Sequence, residues 1–243
     1  GINMIRKSLS VLLALVMLLC AGSALASCQD KNSDFKVGFI FLHDENSTYD
    51  NNFMTGAEEA CKKMGVEILK KTNIPESNAC YDAAADLVDK GCTVIFADSF
   101  GHEDYMIKAA KEFTNVQFCH ATGTQAASSG LSNMHNYFTN IYEARYVSGV
   151  VAGLKLNEMI EDGTVKEDAC KIGYVGAFPY AEVISGYTSF YLGAKSVCPS
   201  ATMEVKYTNS WASFDLEKEC ADALISDGCV LISQHADTTG APT

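Results

Sequence analysis

The chain is short of basic residues. It carries 18 Lys and Arg against 30 Asp and Glu, a formal net charge of −12, and a field of that sign repels nucleic acid and anionic lipid headgroups alike. Nucleic acid is therefore not expected as a partner, and membrane association would need covalent or apolar help. Beyond one apolar stretch near the start, no run approaches the roughly 20 apolar residues of a transmembrane helix. C-x-x-C does not occur, which removes the main support for zinc or thiol-exchange chemistry. Also missing are G-x-G-x-x-G, the phosphate-cradling P-loop and the G-x-S-x-G nucleophile elbow. The five histidines, His43, His102, His120, His135 and His235, share no metal-ligand spacing. No cofactor, metal or catalytic residue is predicted, and the chain does not read as an enzyme.

What is present suits a globular protein. A chain of 243 residues, 48% apolar and with 18 glycines, is long enough for one large domain or two small ones with a sizeable core. Met4-Ile5-Arg6-Lys7 and the apolar Leu9–Ala21 form the n- and h-regions of a signal peptide, assigned to residues 1–27. Two cleavages compete. Ala24-Leu25-Ala26 is an A-x-A site with the cut before Ser27, whereas Leu25-Ala26-Ser27-Cys28 resembles a bacterial lipobox, in which the cysteine is acylated. The polar stretch after Cys28 favours the second, with residues 28–35 as a tether and the protein held at the extracytoplasmic face of the cell membrane. Of the ten cysteines, eight remain beyond Cys20 and Cys28. Their apolar neighbours argue for buried free thiols at least as much as for bridges.

An internal repeat organises the rest. Phe53-Met-Thr-Gly56-Ala57 followed by Cys61 matches Phe190-Tyr-Leu-Gly193-Ala194 followed by Cys198. At the same offset Ala84, Leu87 and Val88 match Ala221, Leu224 and Ile225, and Gly91-Cys92 matches Gly228-Cys229. Two residues out of step, Lys36-Val-Gly-Phe-Ile40 matches Lys171-Ile-Gly-Tyr-Val175. Each copy reads strand, helix, strand, helix, strand. The strands are short continuous apolar runs, and in the first copy Phe53, Ala57, Ala60, Cys61 and Met64 recur at helical spacing before Gly65. Alternation of this kind predicts α/β architecture with parallel sheets: two doubly wound, Rossmann-like lobes. The expected organisation is an N-terminal lobe over 36–140, a crossover and hinge helix over 141–170, and a C-terminal lobe over 171–243. The second lobe is expected to be truncated, because residues 238–243 correspond to the loop before the third helix of the first copy.

Ligands of open α/β sheets bind beyond the carboxyl ends of the strands. The candidates there are Tyr49 and Asp50 after the first strand and Asp98, Ser99 and Phe100 after the third. In the second copy they are Phe178, Trp211, His235 and Asp237. Aromatic faces stack flat rings, and carboxylates accept hydrogen bonds from ring N–H groups or hydroxyls. No Arg or Lys stands at these corners, so the set suits a neutral polar ring compound rather than a phosphate. Asp50 and Asp98 also fit as helix N-caps, and Trp211 and Phe178 as packing residues.

KVGFIFLHDENSTYDNNFMTGAEEA, VIFADSFGHED, NMHNYFTNIYEARYVSGVVAGL, KIGYVGAFPYAEVISGYTSFYLGAKSVCP and LISQHADTTGAP together resemble the basic membrane protein (BMP) family. These are nucleoside-binding lipoproteins, substrate-binding proteins of ABC importers with the type I periplasmic-binding-protein fold. The resemblance implies that Tyr49 is the first-loop aromatic that stacks the base, with Asp50 beside it, and it departs from the family at Asn46, where an Asp is expected. It further implies that Phe178 is the second-lobe aromatic, Trp211 the tryptophan of one branch, Asp237 the acid that holds the ribose, and Asn136 part of the segment entering the crossover. The implied function is capture of a nucleoside or related purine compound by lobe closure and delivery to ABC permease subunits, by a monomer anchored through lipidated Cys28. The alternative is a ligand-sensing receptor of the same fold that signals to a membrane sensor.

Overall fold

The computed structural model describes residues 35–243, so the expected signal peptide, most of the expected tether and Cys28 fall outside the described residues. Two parallel sheets carry the chain. The first has the strand order β2-β1-β3-β4-β5 and the second β7-β6-β8. The strands of the first are β1 (Lys36–Ile40), β2 (Glu67–Lys71), β3 (Cys92–Ala97), β4 (Gln117–Ala121) and β5 (Met134–Tyr137); those of the second are β6 (Lys171–Gly176), β7 (Thr202–Tyr207) and β8 (Leu231–His235). Their helices are α1 (Thr48–Met64), α2 (Asn78–Asp89), α3 (Glu103–Glu112), the short α4 (Ala126–Ser129), α5 (Ile141–Glu161), α6 (Ala181–Val197) and α7 (Phe214–Ser226). Together they form the doubly wound, type I periplasmic-binding arrangement.

The repeat is a repeat of structure. β1-α1-β2-α2-β3 and β6-α6-β7-α7-β8 run in the same order with the same strand neighbours. Equivalent residues pack equivalently: Gly38 of β1 lies under Leu87 and Ile95, and Gly173 of β6 lies under Leu224 and Ile232. A Cβ on Gly38 would come within 2.9 Å of Leu87 Cδ1, and one on Gly173 within 2.9 Å of Leu224 Cβ. In both copies the glycine lets the second helix settle onto the first strand.

Local signals set the element ends. Ser47, rather than Asp50, is the N-cap of α1, its Oγ accepting from Asp50 N at 3.3 Å. Gly65 closes that helix in the left-handed region, at φ 68°. Ser77 and Ser213 cap α2 and α7 in the same manner. The first core gathers Ile40, Leu87, Ile95, Met106 and Phe118; the second gathers Leu156, Ile172, Tyr174, Phe190 and Ala194. All eight cysteines of the described region are free thiols, six of them buried in or beside these cores.

Helix α5 follows β5 and packs along α6. The two helices touch backbone to backbone, since a Cβ on Gly149 would collide with the Phe190 carbonyl and one on Gly193 with the Tyr146 carbonyl. The contact fixes α5 to the second sheet and brings its first turn to the edge of the space between the sheets.

Candidate functional site

Between the two sheets, at the carboxyl ends of β1, β3, β6 and β8, lies a cleft of about 710 Å³ of empty space, part of it continuous with solvent. Tyr49, Phe100, Phe138 and Trp211 supply its aromatic walls, and Asp50, Asp98, Glu182 and Asp237 its carboxyls. Asp50, in the first turn of α1, and Asp98, just after β3, belong to the first lobe, and Glu182, in the first turn of α6, and Asp237, just after β8, to the second, so acids face acids across the gap.

Asp50 is 1% exposed yet held ionised. Burial alone would raise its pKa, but bonds from the His43 ring, Ser47 and the His43 backbone outweigh it and pull the value down. Ser47 Oγ donates to Asp50 Oδ2 at 2.6 Å, His43 Nδ1 stands 3.2 Å from the same oxygen, and His43 N donates to Oδ1 at 3.1 Å. In return the bond to Asp50 raises the His43 pKa. Asp98 is the opposite case. It is also 1% exposed, but its one donor is Leu42 N at 3.4 Å, and Oδ2 has no partner. Burial first and the neighbouring Asp50 second push its pKa far upward. A protonated Asp98 can donate to Asp50 or to a ligand, which resolves the orphaned oxygen. Across the cleft, burial followed by the charge of Asp50 raises Asp237 to about 7, with His43 opposing.

Tyr49 donates its hydroxyl to the Asp98 carbonyl at 2.9 Å, which fixes the ring as a wall. Trp211 is anchored through its carbonyl, which accepts from Asp237 N at 2.7 Å, while its buried Nε1 has no partner. His235, the last residue of β8 and 9% exposed, meets Glu182 through Nε2 at 3.1 Å and leaves Nδ1 unpaired.

Of the residues singled out in the sequence, Tyr49, Asp50, Ser99, Phe100, Trp211, His235 and Asp237 line this cleft. Ser99 lends little polarity to it, because its hydroxyl donates to Glu76 at 2.5 Å. Two others stand apart. Asn136 has its amide engaged, accepting from Ala126 N at 2.8 Å and donating to Glu103 Oε1 at 2.9 Å. It ties β5 to the first residues of α3 and α4. Phe178 lies behind the wall with one face covered by Tyr180, the ring centroids 4.9 Å apart and 15° from parallel, and with Trp211 tilted against it at 5.4 Å.

Sequence reasoning missed Arg145. The expectation of no Arg or Lys covered the corners after the strands, and Arg145 reaches the cleft from elsewhere, from α5, one turn after Ile141 on the same face. It donates from Nη1 to the Gln234 carbonyl at 3.1 Å, and its Nε is buried without a partner. No strand end announces it, because it sits on the helix that crosses between the lobes. Glu182 was missed for another reason: an acid in the first turn of a helix reads as a match to the helix dipole. No group of three or more metal-ligating side chains occurs among the described residues.

Residues 40–243 match the family described as ABC transporter substrate-binding protein, PnrA-like. A purine-binding protein of Brucella abortus is 34% identical over 232 residues, covering 93% of this chain and 61% of that protein. A Haloferax volcanii protein whose name assigns it to glucose binding by an ABC transporter is 38% identical over 148 residues, 61% of this chain and 34% of the other. Among solved structures, a solute-binding protein of an ABC transporter system from Aeropyrum pernix K1 superposes with a TM-score of 0.70 at 16% identity, covering 86% of this chain and 58% of that one. The chain thus spans about three-fifths or less of the length of these proteins. With the paired parallel sheets and the cleft between them, the match over nearly all the described residues places this chain in the PnrA-like family of ABC transporter substrate-binding proteins.

Proposed function

We propose that the full-length protein captures a purine or purine nucleoside outside the cytoplasm and presents it to an ABC permease, without chemical change to the ligand. The observation that carries this reading is the cleft itself: four aromatic rings around acids that face each other, with unpaired polar atoms on Asp98 and Trp211. A flat heterocycle stacks on such walls, at about 1 to 3 kcal/mol per ring, and its N–H edge supplies the donors that the carboxyls lack. Arg145 shares the cleft with four acids, Asp50, Asp98, Glu182 and Asp237, so the site is not an anion site and remains suited to a neutral ligand. The likeness to a purine-binding protein supports the same choice.

In this reading Tyr49, Asp50, Ser99, Phe100, Trp211, His235 and Asp237 form the ligand shell with Asp98 and Arg145, and Phe178 backs Trp211. Closure of the lobes about the segment that enters α5 traps the ligand and creates the face that docks on the permease. Acylated Cys28 holds a monomer beside its transporter, where more than one acyl chain makes the anchoring stable.

The Haloferax relative favours a second reading, a sugar ligand. A thermal-shift panel of purines, nucleosides and monosaccharides on the full-length protein separates the two. Stabilisation by adenine, guanine or their nucleosides, with none by glucose, is the expected outcome, and stabilisation by glucose alone would overturn it. Mass spectrometry of the mature N-terminus tests the anchor: a diacylated Cys28 is expected, and an unmodified chain starting at Ser27 refutes it.

A further inference from the structure

Among the described residues no hydrogen bond or ion pair joins the lobes across the cleft, apart from the local bonds of the connecting segment around Asn140. What does cross it is a ring stack. Phe100, from the turn after β3, lies on Tyr180, the N-cap residue of α6, with centroids 4.6 Å apart and planes 18° from parallel. Tyr180 in turn lies on Phe178 at 4.9 Å and 15°, and Trp211 leans against both. Tyr180 is thus the middle ring of a three-ring pile whose outer members belong to different lobes. It does not line the cleft.

We propose that Tyr180 is an interlobe latch: on closure Phe100 docks onto a Tyr180 platform already seated on Phe178, and this contact sets how long the lobes stay shut. Offset stacking at this spacing is attractive, whereas the acids that face each other across the gap repel. With no polar bond across the cleft among the described residues, the stack is the directional contact there that favours the closed form before a ligand bridges the acids. Tyr180 therefore acts as a positioning residue for capture rather than as a ligand contact. This inference rests on the capture-by-closure reading and gives it a physical control point.

Small-angle scattering of the ligand-free full-length protein tests the latch directly, with dissociation kinetics of adenine as a second readout followed through the fluorescence of Trp211, the single tryptophan of these 243 residues, with any other tryptophan of the full-length protein replaced by Phe. Tyr180→Ala should raise the radius of gyration and speed adenine release roughly 2- to 10-fold, the range of one aromatic pair. Tyr180→Phe, which keeps the ring, should restore both. Phe100→Ala should open the ligand-free protein as Tyr180→Ala does, and the double variant should be no more open than either. Unchanged scattering in both alanine variants, or failure of Tyr180→Phe to restore closure, would overturn the latch. If adenine does not bind, the purine reading fails, and scattering alone decides the latch.

Discussion

Asp50 and Asp237 show how one residue type takes two charge states on opposite sides of one cleft. Asp50 is surrounded by donors on its own loop and stays ionised; Asp237 has its backbone N–H bonded to Trp211 but is buried against other acids. The consequence for stability has a definite sign. The folded pKa of Asp237, about 7, lies above the unfolded value near 3.9, so its contribution is fully present below about pH 4 and is lost as the pH rises through 7. His102 and His120, which burial holds below the ordinary value, act in the opposite direction as the pH falls. The raw profile therefore mixes signs, and the difference between wild type and Asp237→Asn isolates the carboxyl. Denaturant titration of the ligand-free protein should show the variant more stable by about 1–3 kcal/mol at pH 8, with that difference vanishing towards pH 4. Equal differences at both pH values would mean that Asp237 does not titrate as its surroundings require.

At the scale of elements, most of the fold was legible in the sequence. Apolar runs located β1 and β6 to within two residues, helical spacing found the body of α1, and the repeat paired the elements correctly. Two things escaped. β5, Met134-His-Asn-Tyr137, alternates too briefly to stand out as a strand and is held at the sheet edge by its pairing with β4. The repeat also made Gly56 and Gly193 look alike, and they are not. A Cβ on Gly56 meets nothing within 4 Å, whereas one on Gly193 strikes the Tyr146 carbonyl of α5. Sequence similarity reports ancestry of a position, while the need for glycine comes from a helix that packs on only one of the copies. Gly193→Ala or Gly149→Ala should therefore destabilise by about 1–3 kcal/mol through overpacking. Gly56→Ala, in an exposed helix interior, should stabilise by about 1 kcal/mol. Thermal denaturation of the three variants checks the contrast, and similar shifts at Gly56 and Gly193 would disprove the close helix crossing. The same distinction explains the site: corner residues were found because the strand ends announce them, and Arg145 was not, because only the packing of α5 on α6 carries it to the cleft.

The whole molecule sets two opposed forces across one gap. Stacked rings pull the lobes together, and acids from both sides push them apart, Asp50 with a share of Asp98 on one side and Glu182 with Asp237 on the other. His43 offsets part of that repulsion at Asp237, and Glu217 adds to it; Arg145 and His235 line the same cleft. An empty cleft at neutral pH is thus poised, and either protons or ligand N–H donors can tip it towards closure. Acidification protonates Asp237 in the folded protein as the pH falls through about 7, removing one side of the Asp50–Asp237 repulsion while the ring stack is unchanged. The ligand-free full-length protein should consequently become more compact as the pH falls from 8 to 5, visible as a smaller radius of gyration in scattering. Asp237→Asn should already be compact at pH 8 and respond little to acid. A saturating ligand should compact the wild type at pH 8 to the same limit, because its donors do the work of the missing proton. Were the wild type to expand on acidification while remaining folded, the cleft acids would not be the force that holds it open, and selection for donor-bearing ligands would have to arise from the aromatic walls alone.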